Sequence, residues 1–574
     1  MSLSSRTLRN LPSIPRRLHP STPRRRHNST FESKPYRPYE PPSPKPAPSQ
    51  WTPKAALALG CALSFAFTAG KAYQKMQQLN VDYDRDDKFR APRYASVKEM
   101  EKAISEIETV LGRDAISRDE EELKQHGYSE WSPANISTLP IAVVYPKSTD
   151  EVSKIAQICH KYKVPMTAYS GGSSLEGNFS APYSGISIDF REMSKILAFH
   201  EEDMDVVVQP AVNWVSLNTT ISSSGLFFPV DPSPSAQIGG MVGTNCSGTN
   251  AVRYGTMKDW VVNLTVVLAD GTIIKTRGRP RKSAAGYNLN GLFVGSEGTL
   301  GLVTEVTLRL AAVPRECGVA SCVFTSVRDA ASTASSIMRA GVQVAAVEYL
   351  DATQMKVLND GAYTAPKFWK EAPTLFFKFS GSKASIAADI KEVKSIVAAH
   401  KGSDFEFARS KEEGDVIWSG RKQALWSLLA ARPEGTELWT TDVAVPVSRL
   451  ADMIEESQKG IKDLGLFSSI VGHVGDGNFH EAIMYHRNDP AETAAVTEHV
   501  KKMTLKALEM EGTSSGEHSI GLFKKAELLQ ELGPDTLGVM KSIKASLDPH
   551  WLLNPGKIFD TPTATGRVWK WQQK

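Results

Sequence analysis

Two histidines, His473 and His480, flank Gly475-Asp476-Gly477-Asn478, and a third stands in the pair Glu517-His518. The runs Ser468 to Val471 and Phe479 to Met484 are apolar and strand-like, so the glycines between them predict a hairpin. With Asp476-Gly477 as a two-residue turn, positions 473 and 480 are equally far from it and face each other, Cβ atoms about 5 Å apart. Two imidazoles so placed suit two nitrogen ligands of one metal ion. Glu517 would add a carboxylate and leave positions open for water or substrate, as catalytic sites do. Side chains of adjacent residues diverge, so His518 would point elsewhere, and an ordinary histidine pKa of about 6.5 makes it a natural proton acceptor for an alcohol. Spacing alone does not choose between this and a plain polar turn with satisfied histidines, nor between a basic and a structural His518.

Three glycine-rich segments could present backbone to a ligand. The first ends a strand–helix–strand unit: Ile141 to Pro146 reads as a strand, and Ser148 with Glu151 forms a capping box. Val152, Ile155, Ala156 and Cys159 then recur at helical spacing, and Met166 to Tyr169 is a second strand running into Ser170-Gly171-Gly172-Ser173-Ser174-Leu175-Glu176-Gly177. Consecutive residues without Cβ let N–H groups converge on a diphosphate, although such loops also make plain turns. Asp231 to Gly248 is too apolar for a linker and too rich in glycine for a helix or strand interior. Asp270-Gly271 predicts a hairpin between Leu264 to Ala269 and Thr272 to Thr276, and Gly295 to Gly301 leads into the strand Val303 to Leu310. No G-x-G-x-x-G occurs in these segments, so a Rossmann dinucleotide site is not indicated.

The 574 residues have room for roughly three or four domains. With 41% hydrophobic and 23% charged residues, the chain is not collagenous, disordered throughout or a polytopic membrane protein. Five scattered cysteines (Cys61, Cys159, Cys246, Cys317, Cys322), none spaced C-x-x-C, support neither a disulfide scaffold nor a four-thiolate zinc site and read as mostly buried thiols. Residues 1–54 hold 11 Lys and Arg against Glu32 and Glu40, while the other 520 hold 56 basic and 61 acidic residues. The body is thus mildly acidic, which excludes a nucleic-acid footprint and suits a basic protein partner. Seven arginines and no acid in residues 1–31 make a mitochondrial presequence, with a disordered basic tail as the other reading. After a proline-rich stretch, the 16 uncharged residues 55–70 would make a helix about 24 Å long, short of a hydrocarbon core of about 30 Å. Behind such a leader they read as an inner-membrane anchor or sorting signal rather than a buried helix.

The ordered set YSGGSSLEG, GTNAVRYGTM, ADGT, RKSAAGYNLNGLFVGSEGTLGLVTEVTLRL, GHVGDGNFH, GEHSIG and LNPGKI resembles the FAD-linked, cytochrome-dependent D-lactate dehydrogenases of mitochondria, over about residues 96–560. These are flavoproteins of the vanillyl-alcohol-oxidase (PCMH) type. The resemblance implies an α+β fold: a two-lobed FAD-binding domain, an α+β substrate or cap domain, and a C-terminal helical segment that returns to the flavin. Its divisions are 1–54 presequence and linker, 55–70 hydrophobic segment, 71–135 linker and lead-in helix, 136–313 FAD-binding, 314–520 cap with the metal motif, and 521–574 C-terminal.

Carried over motif by motif, Tyr169, Ser170, Gly171, Gly172, Ser173, Ser174 and Gly177 would line the FAD diphosphate. Asp231, Gly239, Gly240, Gly243, Thr244, Asn245, Ser247 and Gly248 would follow the rest of the cofactor, with Glu297, Gly298 and Val303 closing over it and Asn554 returning to it. Some related flavoproteins tether the ring through a histidine where this chain has Ser173, so the FAD is expected to be non-covalent. His473, His480 and Glu517 match a divalent-ion motif, zinc first on ligand type with manganese or iron as alternatives. Arg421 matches the clamp for the substrate carboxylate, and its planar guanidinium suits a carboxylate; Asn478 and Arg432 are weaker candidates. Relatives commonly carry glycine where this chain has Ser519.

The implied reaction oxidises D-lactate to pyruvate, with His518 as base, hydride passing to flavin N5 and electrons leaving to cytochrome c. The implied location is the mitochondrial inner membrane facing the intermembrane space. Other readings are a dehydrogenase of another D-2-hydroxy acid such as 2-hydroxyglutarate or glycolate, a non-redox transferase resembling alkylglycerone-phosphate synthase, and a zinc hydrolase.

Overall fold

The computed structural model describes residues 89–129, 132–133 and 135–562. The presequence, the 55–70 segment and Cys61 lie outside them. Among the described residues no helix is long and apolar enough to cross a membrane.

Three sheets carry the architecture. The first has four strands in the order Ile116–Ser117, Ala142–Val144, Ile186–Asp189, Met166–Tyr169, of which the last three are parallel. The helices Val97–Leu111 and Thr149–Tyr162 bury Ile104, Ile107, Val152 and Ile155 in its core. The second helix starts as its sequence predicts, Ser148 Oγ accepting from the Glu151 N–H, but the Glu151 carboxylate accepts from the Lys147 N–H, so the capping box is displaced by one residue. The parallel edge at Met166 is extended by the C-terminal segment: Met166 N–H donates to the Leu552 carbonyl and Asn554 N–H to the Met166 carbonyl.

The second sheet has five antiparallel strands, Ile196–His200, Asp205–Val208, Leu302–Arg309, Val261–Val267 and Ile273–Lys275. The Asp270-Gly271 turn joins the last two, with Gly271 at φ 87°. The helix Ile238–Thr244 packs Ile238, Met241 and Val242 into its core.

The third sheet has eight strands. Seven run in the order Ser403–Phe407, Glu316–Val323, Thr374–Gly381, Val344–Leu350, Ser468–His473, Asn478–Tyr485, Glu437–Thr440, and Val443–Ala444 also pairs with Asn478–Tyr485. Alternation sorts the two faces. Leu375, Phe377 and Phe379 join one core with the helices Val327–Ala340, Lys383–Ala399 and Leu450–Leu464, while Phe376 joins Trp418 and Ile417 of the helix Lys411–Lys422 on the other. By the same parity Glu348, His473 and His480 lie on the Phe376 face. The C-terminal helical segment is the helix Lys525–Leu547, which breaks at Gly533, φ 75°, because Pro534 cannot continue the ladder.

The thiols follow expectation except Cys317, which is exposed at the start of its strand; Cys159, Cys246 and Cys322 are buried. Phe377 is fully buried at the centre of the largest core. Phe377→Ala should cost about 3–5 kcal/mol and lower the thermal midpoint by several degrees in scanning calorimetry; an unchanged midpoint contradicts this packing.

Candidate active site

The hairpin holding the histidines differs from its expected register. His473 pairs with Asn478 and Val471 with His480, so residues 474–477 form a four-residue connection in place of a two-residue turn. The connection packs tightly: a Cβ at Gly475 would lie 2.7 Å from Val252, one at Gly477 would meet the Val445 carbonyl, and Gly477 has φ 78°. His473 and His480 are therefore diagonal neighbours, still on one face, with ring centroids 5.5 Å apart.

The third expected ligand arrives from the loop between the helices Pro490–Glu509 and Lys525–Leu547. Glu517 Oε1 lies 3.1 Å from His480 Nε2 and 3.6 Å from His473 Nε2. The outer nitrogens are held from behind: His473 Nδ1 is 2.9 Å from Glu348 Oε1, and His480 Nδ1 is 3.0 Å from the Thr441 carbonyl oxygen. A carbonyl and a carboxylate only accept, so both Nδ1 atoms carry a proton and each ring turns Nε2 toward Glu517 as the nitrogen that a bound ion would take in place of a proton. This is the arrangement of metal-ligating histidines, and the donor set fits a divalent ion.

Burial opposes charge here, yet Glu348 and Glu517 hold His473 well above the ordinary histidine range, and Glu517 is drawn well below the carboxylate range by His473 and His480. His518 stacks on His480 with centroids 4.9 Å apart and planes within 9°. Burial pushes His518 down to about 4, so it is neutral at pH 7 and able to accept a proton, and its Nδ1 is buried without a partner.

Asp442, which carries no motif, organises the loop. Its Oδ2 accepts from the N–H groups of Glu517 and His518 at 2.9 Å and from Ser515 Oγ at 2.8 Å, while Oδ1 accepts from Asn478 Nδ2 at 2.9 Å. Asn478 also donates to the Val443 carbonyl, which sets its amide behind the histidines. Against its burial, the neighbouring His518 imidazole, Lys524 ammonium and His480 imidazole keep Asp442 far below the ordinary range. Arg421 donates from Nε to Glu348 Oε2 at 2.7 Å, whereas Arg432 is exposed at a helix end.

The same loop is stitched to the glycine segments. Ser247 Oγ donates to Glu517 Oε2 at 2.5 Å. Glu297 accepts from the N–H groups of Ile520 and Gly521 at 2.9 and 2.8 Å, and Leu522 N–H donates to the Glu176 carbonyl at 2.8 Å. Ser519 adopts φ 65°, where glycine is the ordinary occupant, and its Oγ accepts from Asn178 Nδ2 at 2.8 Å.

The other expected FAD residues divide into open backbone and spent side chains. Tyr169 ends its strand against His126, ring centroids 4.1 Å apart. Among the described residues, no hydrogen bond is made by the N–H groups of Gly171, Gly172, Ser173 and Ser174. A Cβ at Gly243 would meet nothing within 4 Å, and one at Gly240 only Ser170 Cβ at 3.8 Å, so one helix face is bare beside the 170–174 loop. This cradle and its unspent donors fit a diphosphate. Gly239 instead packs on Pro210, and Gly248 on Asp231. Asp231 accepts from Thr249 and Asn250, Asn245 from Thr256 and Lys258, and Thr244 donates to the Gly240 carbonyl. Val303 packs on the second core, and Gly177 and Gly298 take φ of 70° and 69°. Asn554 Nδ2 donates to the carbonyls of Asn178 and Glu297 at 2.9 and 2.7 Å.

A family model described as FAD binding domain matches residues 140–277, and one described as FAD linked oxidases, C-terminal domain, matches 313–558. A model of O-phosphoseryl-tRNA(Sec) selenium transferase matches 53–170, overlapping the first of these. The mitochondrial D-lactate dehydrogenase (cytochrome) of Kluyveromyces lactis is 42% identical over 507 residues, 86% of this chain and 87% of that protein. The chain belongs to the cytochrome-type D-lactate dehydrogenase family of FAD-linked oxidases. It is an FAD-dependent oxidoreductase. The Arabidopsis thaliana family member is 44% identical over 79% of each chain, and the glycolate oxidase subunit GlcD of Bacillus subtilis is 33% identical over 75% of this chain and 92% of its own. Among solved structures, a 4-ethylphenol oxidase from Gulosibacter chungangensis has a TM-score of 0.68 at 19% identity, covering 82% of this chain and 99% of that one. A p-cresol methylhydroxylase has a TM-score of 0.67 at 18% identity, with the same coverage. These establish the PCMH-type fold, as expected.

Two further groups of acids and histidines come together. Asp442, His480 and His518 belong to this site. Glu122, His126 and Asp189 lie apart and are bridged by Arg191, at 2.7 Å from Glu122 and 2.6 Å from Asp189. Glu348, Asp442 and Lys524 escaped the motif reading, although a lone acid within the apolar strand VAAVEYL is itself a signal. Without the Asp442 carboxylate two loop N–H groups lose their acceptor. In Asp442→Ala, amide exchange at Glu517 and His518 should accelerate about tenfold or more; unchanged protection contradicts the role given to Asp442.

Proposed function

We propose that the enzyme oxidises D-lactate to pyruvate and passes the electrons to cytochrome c. The observation that carries this reading is the contact of Ser247, in a flavin-lobe glycine segment, with Glu517, which faces both histidines. It brings a candidate ion site against a candidate flavin site, as oxidation of a chelating hydroxy acid requires. The names of the relatives supply the substrate and the acceptor class.

FAD, when bound, takes up the electron pair released at the substrate carbon, and a divalent ion, zinc first and manganese next, supplies Lewis acidity at the alcohol. His473, His480 and Glu517 would hold the ion. The terminal guanidinium nitrogens of Arg421, with Nε engaged by Glu348, would bind the carboxylate in a fixed plane. His518, neutral at pH 7, would accept the hydroxyl proton. The 170–174 loop and the bare face at Gly240 and Gly243 would hold the FAD diphosphate, non-covalently since Ser173 offers no histidine tether. We read 136–313 as the FAD-binding domain, 314–520 as the cap and 521–574 as the returning C-terminal segment. The basic leader and the 55–70 segment support a mitochondrial address at the inner membrane, and the acidic body suits a basic carrier in the intermembrane space. The GlcD relative favours glycolate as the second substrate to test.

Anaerobic titration of the flavin-loaded protein tests the reading. D-lactate should bleach the flavin, L-lactate should not, and a chelator should abolish the response. Bleaching by glycolate or 2-hydroxyglutarate in place of D-lactate moves the assignment to that acid, and no bleaching by any of them overturns it. His518→Ala should lower kcat by about 10²–10⁴-fold with bound metal and FAD retained; a wild-type kcat removes His518 from the chemistry.

A further inference from the structure

We propose that Glu348 is a positioning residue whose two oxygens serve two functions at once, fixing the metal-ligand histidine His473 and the carboxylate clamp Arg421; this rests on the reading given above. Glu348 is 1% exposed, in the middle of the strand Val344–Leu350, the one charged residue in VAAVEYL. A carboxylate so buried is costly unless paired and hydrogen-bonded. Ala346, Leu350 and Phe376 beside it on that face are apolar, and Lys378 opposite Ala346 makes no hydrogen bond to it, so its hydrogen bonds come from beyond its own strand.

They come from two directions. Oε1 lies 2.9 Å from His473 Nδ1 on the adjacent strand, and Oε2 accepts from Arg421 Nε at 2.7 Å on the helix Lys411–Lys422. Each contact has a consequence at the far end of its partner. Because Oε1 only accepts, Nδ1 keeps its proton and Nε2, 3.6 Å from the Glu517 oxygen, is left as the nitrogen that an ion would take. Because Oε2 takes Nε, the guanidinium plane is fixed while its two terminal nitrogens make no hydrogen bond among the described residues. His480 is oriented separately, by the Thr441 carbonyl. One carboxylate therefore joins ion holding to substrate clamping, and only through His473.

Glutamine has the same shape but one acceptor and one donor. In Glu348→Gln the amide NH2 must face either His473 Nδ1–H or Arg421 Nε–H, so one contact becomes donor against donor. A proton displaced to His473 Nε2 blocks the ligand; a displaced guanidinium loosens the clamp.

The test uses the full chain loaded with FAD, stripped of metal and titrated with Zn²⁺ or Mn²⁺ by calorimetry, followed by kinetics with D-lactate at saturating ion. For E348Q the arm that meets the amide NH2 should fail, the ion dissociation constant rising about 10–100-fold or KM rising severalfold, and for Glu348→Ala, which removes both acceptors, both constants should rise, while FAD content stays at the wild-type value. R421Q should raise KM and leave ion affinity unmoved, which separates the two arms. Wild-type ion affinity together with wild-type KM in E348Q overturns the proposal, as does a wild-type value of either in Glu348→Ala or an ion defect in R421Q equal to that of Glu348→Ala. Should E348Q not fold, Glu348→Asp, with both acceptors on a shorter arm, should shift the same two constants by less, and wild-type values of either again overturn it. A wild-type protein that binds no ion and is not bleached by any hydroxy acid defeats the functional reading itself; a wild type that does both beside an unaffected E348Q defeats this inference alone.

Discussion

The loop of residues 517–522 has no regular secondary structure, and the arrangement of the site depends on its being bonded from two sides. From the large sheet, Asp442 takes the N–H groups of Glu517 and His518. From the flavin-binding lobes, Glu297 takes those of Ile520 and Gly521, the Glu176 carbonyl takes that of Leu522, and Ser247 reaches Glu517 directly. Six consecutive residues thus span the seam between the glycine segments and the histidine hairpin. Backbone donors satisfied by fixed carboxylates leave such a loop little freedom. A close fit reinforces this, since a Cβ on Gly521 would strike the Glu176 backbone.

Charge explains why the seam is stable. Glu176, Glu297, Glu348, Asp442 and Glu517 all sit at or near it with little solvent contact, and isolated they would destabilise the fold. None is isolated. Lys524 lies 3.0 Å from Glu176 and 3.6 Å from Asp442, Arg421 and His473 share Glu348, and Glu297 is met by backbone N–H groups and Asn178. Losing one partner of a buried pair typically costs about 3–5 kcal/mol because the other is left uncompensated. The network therefore sets the geometry of the site before any substrate arrives, the condition under which polar groups serve catalysis well.

Much of this was legible in the sequence where local chemistry decides it. Helical apolar spacing located Thr149–Tyr162, and the strand expected behind the third glycine segment is Leu302–Arg309. The placement of His473 and His480 on one face followed from residue type and parity, although the hairpin register did not, and only the family resemblance placed Glu517 beside them. Asp-Gly favours a two-residue turn, but here the turn is shaped by contacts with Val252 and Val445, which are far away in sequence. Long-range contact likewise hid Asp442 and Glu348, since nothing near either residue says which loop or helix will meet it. The kink at Gly533 is the opposite case, since the Gly-Pro pair is a local signal for it. Ser519 shows a third situation: its left-handed backbone makes the glycine of relatives understandable, and the Asn178 bond is what the serine gains in its place.

On the proposed reading, ion and flavin occupy adjoining sites across the 517–522 seam. Anomalous X-ray scattering from crystals of the FAD-loaded protein, recorded at the zinc and manganese absorption edges, tests it most directly. A single strong peak is expected, bounded by His473 Nε2, His480 Nε2 and the Glu517 carboxylate, next to the isoalloxazine. A flavin whose ring lies away from this trio, or a peak on other ligands, would contradict it.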